Sequence, residues 1–271
     1  MCVSNSKQAE NQQQPINAIT SLCKLERLMA LNIVIPMAGL GSRLPTSVYG
    51  TIKPLIPING TTMIRLVVDS LNLDGRYIFI YRRDEFSAEL EKVLRDMERP
   101  AEFLIVDELT KGPAATCLTA RELINNDSEL VIANADQIMW WNSGQFLSSA
   151  RSEGLDGVIV TYTSTSERNS FARLSQNGLV TEVREKEAIS EIALAGIHYW
   201  RKGKEFVKSA EKMISEDGYA LGEFYVGPTY NLMIESGAKI GIYHIPGYQH
   251  NPVGVPEDLE KYKEKICKDS N

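Results

Sequence analysis

The run Pro36-Met37-Ala38-Gly39-Leu40-Gly41-Ser42-Arg43, with Lys53-Pro54-Leu55 ten residues beyond Arg43, holds residue types suited to polyphosphate chemistry. Glycines let backbone amides approach phosphate oxygens closely. Arg43 and Lys53 add two cations, enough to neutralise part of a triphosphate and the charge that develops at its α-phosphorus. Two known phosphate loops do not account for the run. The fingerprint GxGxxG needs a glycine where this chain has Leu44, and no GxxxxGK[ST] sequence occurs. Gly39 and Gly41 alone would be read as a tight turn; Arg43 and the Lys53-Pro54 pair argue for a phosphate site.

Other segments carry chemistry of their own. Gly112-Pro113-Ala114-Ala115-Thr116 opens a helix with small residues, against which a flat nucleobase could lie; close packing of that helix on a sheet is the plainer account. Asp136 follows the strand-like ELVIANA and should stand at a sheet's carboxyl edge. A single carboxylate there suits Mg²⁺, which keeps several waters and takes phosphate oxygens as further ligands; an Asp in a strand-to-loop turn is the alternative. Glu185-Lys186 reads first as a surface ion pair, and Arg173 and Arg184 as ordinary surface charges. Trp140, Trp141, Tyr199 and Trp200 could wall an acceptor pocket or pack the core. His198, His244 and His250 have no metal-binding spacing and read as structural.

The elements that must position these residues follow from periodicity. LNIVIP (31–36) is a short apolar run ending in the glycine-rich loop, as expected of a strand buried on both faces. A helix over Thr61 to Leu71 follows, then RYIFIYR (strand), EFSAELEKVLRDME (helix), AEFLIVD (strand), PAATCLTARELI (helix), ELVIANAD (strand) and a helix near 144–153. This alternation predicts an α/β fold with a Rossmann-like mixed, mostly parallel sheet flanked by helices. Beyond Gly154 the texture changes. DGVIVTYTS is a strand, and FARLSQNGLVTEVREK a hairpin predicted to turn at Asn177-Gly178 in type I′. IALAGIHYW (strand), KEFVKSAEKMI (helix), FYVGPTYNLMIESG (helical) and AKIGIYHIP (strand) complete the pattern. The expected organisation is a polar N-terminal extension over 1–28 and one domain over 29–271. That domain divides into a nucleotide-binding half (29–153), a substrate-binding half (154–262) and a tail (263–271).

Composition bounds the partners. The 271 residues are 43% hydrophobic and 24% charged with net charge −6 and no long basic run, which argues against nucleic acid, whose binding rests on clustered Lys and Arg. Cys2, Cys23, Cys117 and Cys267 are too scattered for a zinc site or a disulfide framework and fit reduced thiols in the cytoplasm. The longest apolar stretch, around Leu28 to Leu40, contains Asn32, Pro36 and Gly39, so no membrane span or secretory signal is expected.

With these residues in view, IVIPMAGLGSRL and KPL resemble the start of the sugar-phosphate nucleotidyltransferases, in particular their capsule-polysaccharide biosynthesis branch. The resemblance continues in order through TKGPAATCL (110–118), VIANADQ (131–137), EVREKEAIS (182–190), LAGIHYW (194–200), GEFYVGPTYN (222–231) and GVPEDLEKY (254–262). It implies a GT-A-like nucleotide-diphospho-sugar transferase fold and pyrophosphate-releasing transfer from a nucleoside triphosphate, pyrimidine favoured, to a small phosphorylated acceptor. By the same resemblance Ala38, Gly39, Gly41, Ser42, Arg43, Gly112, Pro113 and Ala114 bind the nucleotide and Asp136 holds Mg²⁺. Arg43, Lys53 and Lys186 are catalytic, and Glu185, Lys186, Gly196 and Glu223 meet the acceptor.

Two positions depart from the family's pattern. Ile52 stands where a proline usually precedes the lysine, which would loosen the phosphate loop. His250-Asn251-Pro252-Val253-Gly254-Val255 lacks the second metal-binding carboxylate of many relatives, so either one protein ligand suffices, or Asn251 assists through its side-chain oxygen, or metal binding is weakened. That loss keeps open a catalytically silent nucleotide-binding subunit. A glycosyltransferase with Asn134-Ala135-Asp136 as a degenerate DxD site is a third reading, although it has no need of the GxGSR loop.

Overall fold

A computed structural model of the protein describes residues 31–152, 154–218 and 222–269; the extension expected over 1–28 lies outside them. The strands are β1 (Leu31–Met37), β2 (Pro57–Ile58), β3 (Thr61–Thr62), β4 (Arg76–Arg82), β5 (Ala101–Val106), β6 (Glu129–Ala133), β7 (Gln137–Met139), β8 (Gly157–Thr163), β9 (Phe171–Leu174), β10 (Val180–Arg184), β11 (Ile192–Trp200), β12 (Ile240–His244) and β13 (His250–Pro252). The α-helices are α1 (Thr46–Tyr49), α2 (Met63–Leu71), α3 (Ser87–Arg95), α4 (Pro113–Leu118), α5 (Arg121–Ile124), α6 (Ser143–Ala150), α7 (Gly203–Ser215), α8 (Thr229–Glu235) and α9 (Pro256–Asp269). None of the described helices is long and apolar enough to cross a membrane.

Nine strands form one mixed sheet, the Rossmann-like arrangement that the alternation predicted. Strands β5, β4, β1 and β6 are mutually parallel in that order. Strand β11 runs antiparallel to β6 and carries β8 and β9, with β12 parallel to β8 and β10 on β9. The order explains where a ligand can bind. From β1 the chain moves outward through β4 to β5, then returns to β6 on the other side of β1. Such a reversal opens a crevice beyond the carboxyl ends of the two central strands. The loops after β1 and after β6 therefore face the same space.

Both faces of the sheet are covered, which is why β1 reads as an apolar run broken only by Asn32. Leu31, Ile33 and Ile35 enter one core with Tyr77, Phe79, Val131 and α2. Val34 enters the opposite core with Ile78, Ile80, Ile132, Trp200 and α7. Full burial of side chains of this size stabilises by about 1.5–3 kcal/mol each. His198 belongs to the second layer; burial pushes its imidazole down to about 3, so it stays neutral beside Trp200 and Tyr230. Tyr199 and Trp200 are fully buried, and Trp141 packs on Phe146 while donating to Ser70 C=O, so these aromatics build core rather than an acceptor wall.

Several predicted boundaries change. The helix expected from Thr61 begins at Met63, because a two-residue hairpin precedes it: β2 pairs with β3 across Asn59 (φ 48°) and Gly60 (φ 82°). Two consecutive left-handed residues are the signature of the type I′ turn, and it occurs here rather than at Asn177-Gly178. In that second hairpin only Gly178 is left-handed (φ 79°), with Gly178 N–H donating to Ser175 C=O and Ser175 N–H to Leu179 C=O. This is a three-residue loop closed by a glycine bulge. The single helix expected over PAATCLTARELI splits into α4 and α5, where Ala120 N–H bonds back three residues to Cys117 C=O. The helical stretch expected from Phe224 to Gly237 shrinks to α8, which starts only after Gly227-Pro228.

Candidate active site

The loop after β1 turns tightly, with Leu44 N–H donating to Gly41 C=O at 2.8 Å and Gly41 left-handed at φ 62°. Buried Ala38 and Leu44 hold its two ends, while Gly39, Ser42 and Arg43 are exposed at the crevice. Lys53 begins a single 3₁₀ turn, Lys53–Leu55, and its Cβ lies beside Gly41. Ile52, the residue that replaces proline, has φ −73° and ψ 154° and accepts Leu55 N–H at 2.9 Å. Proline would impose the same φ; the turn forms without it.

Lys53 Nζ reaches across to pair with Asp136 Oδ2. The other carboxylate oxygen accepts Gln137 Nε2 at 2.7 Å. Burial works to raise the Asp136 carboxyl, but the Lys53 ammonium, the Gln137 amide and nearby Arg43 outweigh it, holding the carboxyl below its ordinary value. Thus Arg43, Lys53 and Asp136, all inferred from sequence, come together. Gly254 completes the wall: a Cβ there would collide with Asp136 Oδ2, and Val253 N–H donates to Asp136 C=O at 2.9 Å.

The donor set fits a hard divalent cation of the Mg²⁺ type, which commonly takes one or two protein carboxylates and completes its shell with water and phosphate. Among the described residues no group of three or more His, Cys, Asp or Glu could hold a metal by itself. Asn251 does not serve as the substitute ligand. It is buried, its Oδ1 accepts Lys265 Nζ at 2.6 Å, and Lys265 also lies over the Trp140 ring at 3.8 Å. The C-terminal helix α9 therefore occupies the oxygen that a cation would need.

A second group forms around the Glu185-Lys186 doublet. Lys186 is left-handed at φ 53°, an uncommon conformation for a non-glycine residue. Its Nζ lies 3.2 Å from the Tyr225 hydroxyl. Glu185 accepts a hydrogen bond from Ser170 Oγ. Burial raises the Glu185 carboxyl, Ser170 and Lys186 oppose this, and the Glu223 charge reinforces it, so the two carboxylates face one space. Two carboxylates, an ammonium and two hydroxyls are groups that would recognise a phosphorylated polyol. Arg173 and Arg184 both pair with Glu182 on the surface, as expected of ordinary charges.

Gly112 ties α4 to the segment that carries Glu223. It has φ 110°, and a Cβ there would meet Phe224 N at 2.6 Å and Phe224 O at 2.7 Å. Phe224 N–H donates to Lys111 C=O and Ala114 N–H to Phe224 C=O, at 2.8 and 2.9 Å. Pro113 and Ala114 thus start α4 against the segment that carries Glu223. Gly196, φ 75°, is buried in the irregular centre of β11, where its C=O accepts Asn134 N–H at 2.9 Å and a Cβ would meet the Asn134 side chain at 2.5 Å. It supports the loop before Asp136 from behind.

A consequence follows for Glu185. Its carboxyl is raised on folding, so the folded state binds its proton more tightly than the unfolded chain does. Stability is then greatest at low pH and declines as pH rises from the ordinary carboxyl value through the raised one. Glu185→Gln should raise the unfolding midpoint at pH 7, narrow the gain at pH 4, and weaken acceptor use. Thermal denaturation at the two pH values measures this; a lower midpoint at pH 7 contradicts it.

Gln137, Ser170, Tyr225 and Gly254 carry no role in the sequence reading, and His250 reads there only as structural. Gln137 and Tyr225 lie inside runs already noted, VIANADQ and GEFYVGPTYN, but their types suggested no role. His250 had no signal, because its partner Gln137 is 113 residues away.

Comparison with known proteins gives a family and a fold. The nucleotidyl transferase family pattern matches residues 33–225. The solved nucleoside-diphosphate-sugar pyrophosphorylase from Vibrio cholerae RC9 is 21% identical, with TM-score 0.73 over 86% of this chain and 99% of that one. A UDP-glucose pyrophosphorylase complexed with UDP-glucose is 17% identical, with TM-score 0.73 over 88% and 98% of the two chains. Inositol-1-phosphate CTP transferase from T. maritima is 14% identical, with TM-score 0.69 over 89% and 96%. At these identities the likeness is one of fold. None of the curated proteins compared matches the chain.

Proposed function

Because the chain belongs to the nucleotidyl transferase family, we propose that it joins a nucleoside triphosphate to a small phosphorylated, sugar-like acceptor and releases pyrophosphate. The observation that carries this reading is the cluster of Arg43, Lys53 and Asp136 beside the glycine loop; a second cluster, Glu185, Lys186, Glu223 and Tyr225, offers the groups an acceptor of this kind would need. A pyrimidine triphosphate is favoured, because two of the similar structures are named for CTP or UDP chemistry. The capsule-type motif order supports a place in surface-glycan precursor synthesis.

The acceptor phosphate is already anionic at neutral pH and needs no general base. Catalysis then consists of positioning and charge neutralisation. The backbone amides of 39–43 would hold the triphosphate while Arg43 and Lys53 neutralise its oxygens. Lys186 would grip the acceptor phosphate, with Glu185 and Glu223 accepting its hydroxyl protons in hydrogen bonds. Asp136 would hold Mg²⁺, which supplies Lewis-acid charge neutralisation at the phosphates when bound. No covalent enzyme intermediate is required.

The test is pyrophosphate release with Mg²⁺ across nucleoside triphosphates and a panel of sugar and polyol phosphates. One triphosphate with one acceptor class should turn over. A nucleotide-induced rise in unfolding temperature with no turnover on any acceptor would favour the silent binding subunit, for which the tied-up Asn251 is the supporting observation.

A further inference from the structure

The short ladder between β7 and β13 sets Pro252 opposite Gln137 and His250 opposite Met139. It thereby brings His250 against the residue that follows Asp136. The Gln137 amide bridges the two: its Nε2 donates to Asp136 Oδ1 at 2.7 Å, and its Oε1 lies 2.6 Å from His250 Nε2. The directions are forced. An ionised carboxylate only accepts, so Gln137 turns its NH₂ toward Asp136 and its carbonyl toward the imidazole, which must donate from Nε2. The imidazole is itself held, with the Tyr162 ring 4.3 Å away between centroids.

We propose that His250 is a positioning residue that acts through Gln137 to fix the Asp136 carboxylate, leaving Oδ2 to cations. The proposal rests on Asp136 being the cation-binding carboxylate. The stretch that carries a second carboxylate in many relatives here supplies a brace instead. With the imidazole donor removed, Gln137 loses its anchor at Oε1, and its side chain can swing, taking the carboxylate away from Lys53 and the triphosphate. Changing a hydrogen-bond partner of a metal ligand typically alters metal affinity or activity by about 10- to 100-fold, and His250 acts through such a partner, Gln137.

The experiment uses the full chain with Mn²⁺ and saturating CTP or UTP, following Mn²⁺ binding by water-proton relaxation. His250→Phe keeps a ring against Tyr162 and removes the donor; His250→Gln returns an N–H. The Mn²⁺ dissociation constant should rise about 10- to 100-fold in His250→Phe and recover in part in His250→Gln, with the unfolding midpoint of each close to wild type. Wild-type Mn²⁺ binding in His250→Phe, together with its loss in Asp136→Asn, overturns the brace and leaves the cation site standing. Unchanged binding in Asp136→Asn, or no saturable binding to the wild type, overturns the cation site and the brace together. Should His250→Phe fail to fold, Gln137→Met breaks the same link from the other side and decides by the same readings.

Discussion

Asp136→Asn is expected to lower pyrophosphate release by about a thousandfold, the upper range for losing one preorganised electrostatic group at a site of developing charge. The substitution keeps the side chain's size, and its amide oxygen can still accept from Gln137. It removes the negative charge that Lys53 and a divalent cation both require. Stability should fall too. The pair is only 18% and 14% exposed at its two side chains, and breaking a buried pair leaves the surviving charge uncompensated, at a cost of about 3–5 kcal/mol when burial is complete. Lys53 can recover some hydration here, so about 2–3 kcal/mol is expected. The double variant Lys53→Met/Asp136→Asn separates the two effects. Removing both charges should restore much of the stability lost in Asp136→Asn, while turnover stays abolished. Denaturant unfolding and pyrophosphate release, read on the same preparations, test this. A loss of turnover below tenfold in Asp136→Asn would remove Asp136 from the proposed mechanism.

The regular features were legible wherever local pattern and tertiary demand agreed. LNIVIP is apolar apart from Asn32 because residues of alternating direction, Ile33 and Val34, enter separate cores on the two faces; the run could be read without knowing either core. The glycine loop and Lys53 stand out in the sequence because the phosphate chemistry proposed for them restricts residue type as well as spacing. Asn59-Gly60 is a weak hairpin signal in sequence, since only two-residue strands flank it and the periodicity of α2 dominates the window. At Asn177-Gly178 the same dipeptide gave a different turn. Ser175 N–H bonds to Leu179 C=O there, and that register is set by the pairing of β9 and β10 rather than by the dipeptide. The least legible parts depend on long-range approach. His250 meets Gln137, and Lys265 takes the Asn251 oxygen, only because β13 pairs with β7 and α9 packs behind it. Nothing in the spacing of those residues announces either contact.

Glycine substitutions at the two sides of the crevice should fail in different ways. Gly112→Ala is expected to damage the fold itself. Its backbone is left-handed at φ 110°, and the added methyl would press on Phe224 N and O, which carry the two bonds to Lys111 and Ala114. The methyl cannot be absorbed by a flexible side chain, because its neighbours are main-chain atoms. Loss of one or both bonds, added to the conformational penalty, should cost about 2–4 kcal/mol, and it should also shift Glu223, which the same segment carries. Gly39→Ala is the contrast. Nothing lies within 4 Å of a Cβ at Gly39, so the unfolding midpoint should stay within experimental error of wild type. If the loop closes on triphosphate through its main-chain amides, the methyl stands where phosphate oxygens must approach, and nucleotide affinity should drop about tenfold or more, equivalent to about 1.4 kcal/mol. Unfolding curves and nucleotide titrations on the two variants give four readings. A stable Gly112→Ala would contradict the close approach of its backbone to Phe224. Unimpaired nucleotide binding in Gly39→Ala would place the triphosphate away from the glycine loop, and the proposed roles of Arg43 and Lys53 would fall with it.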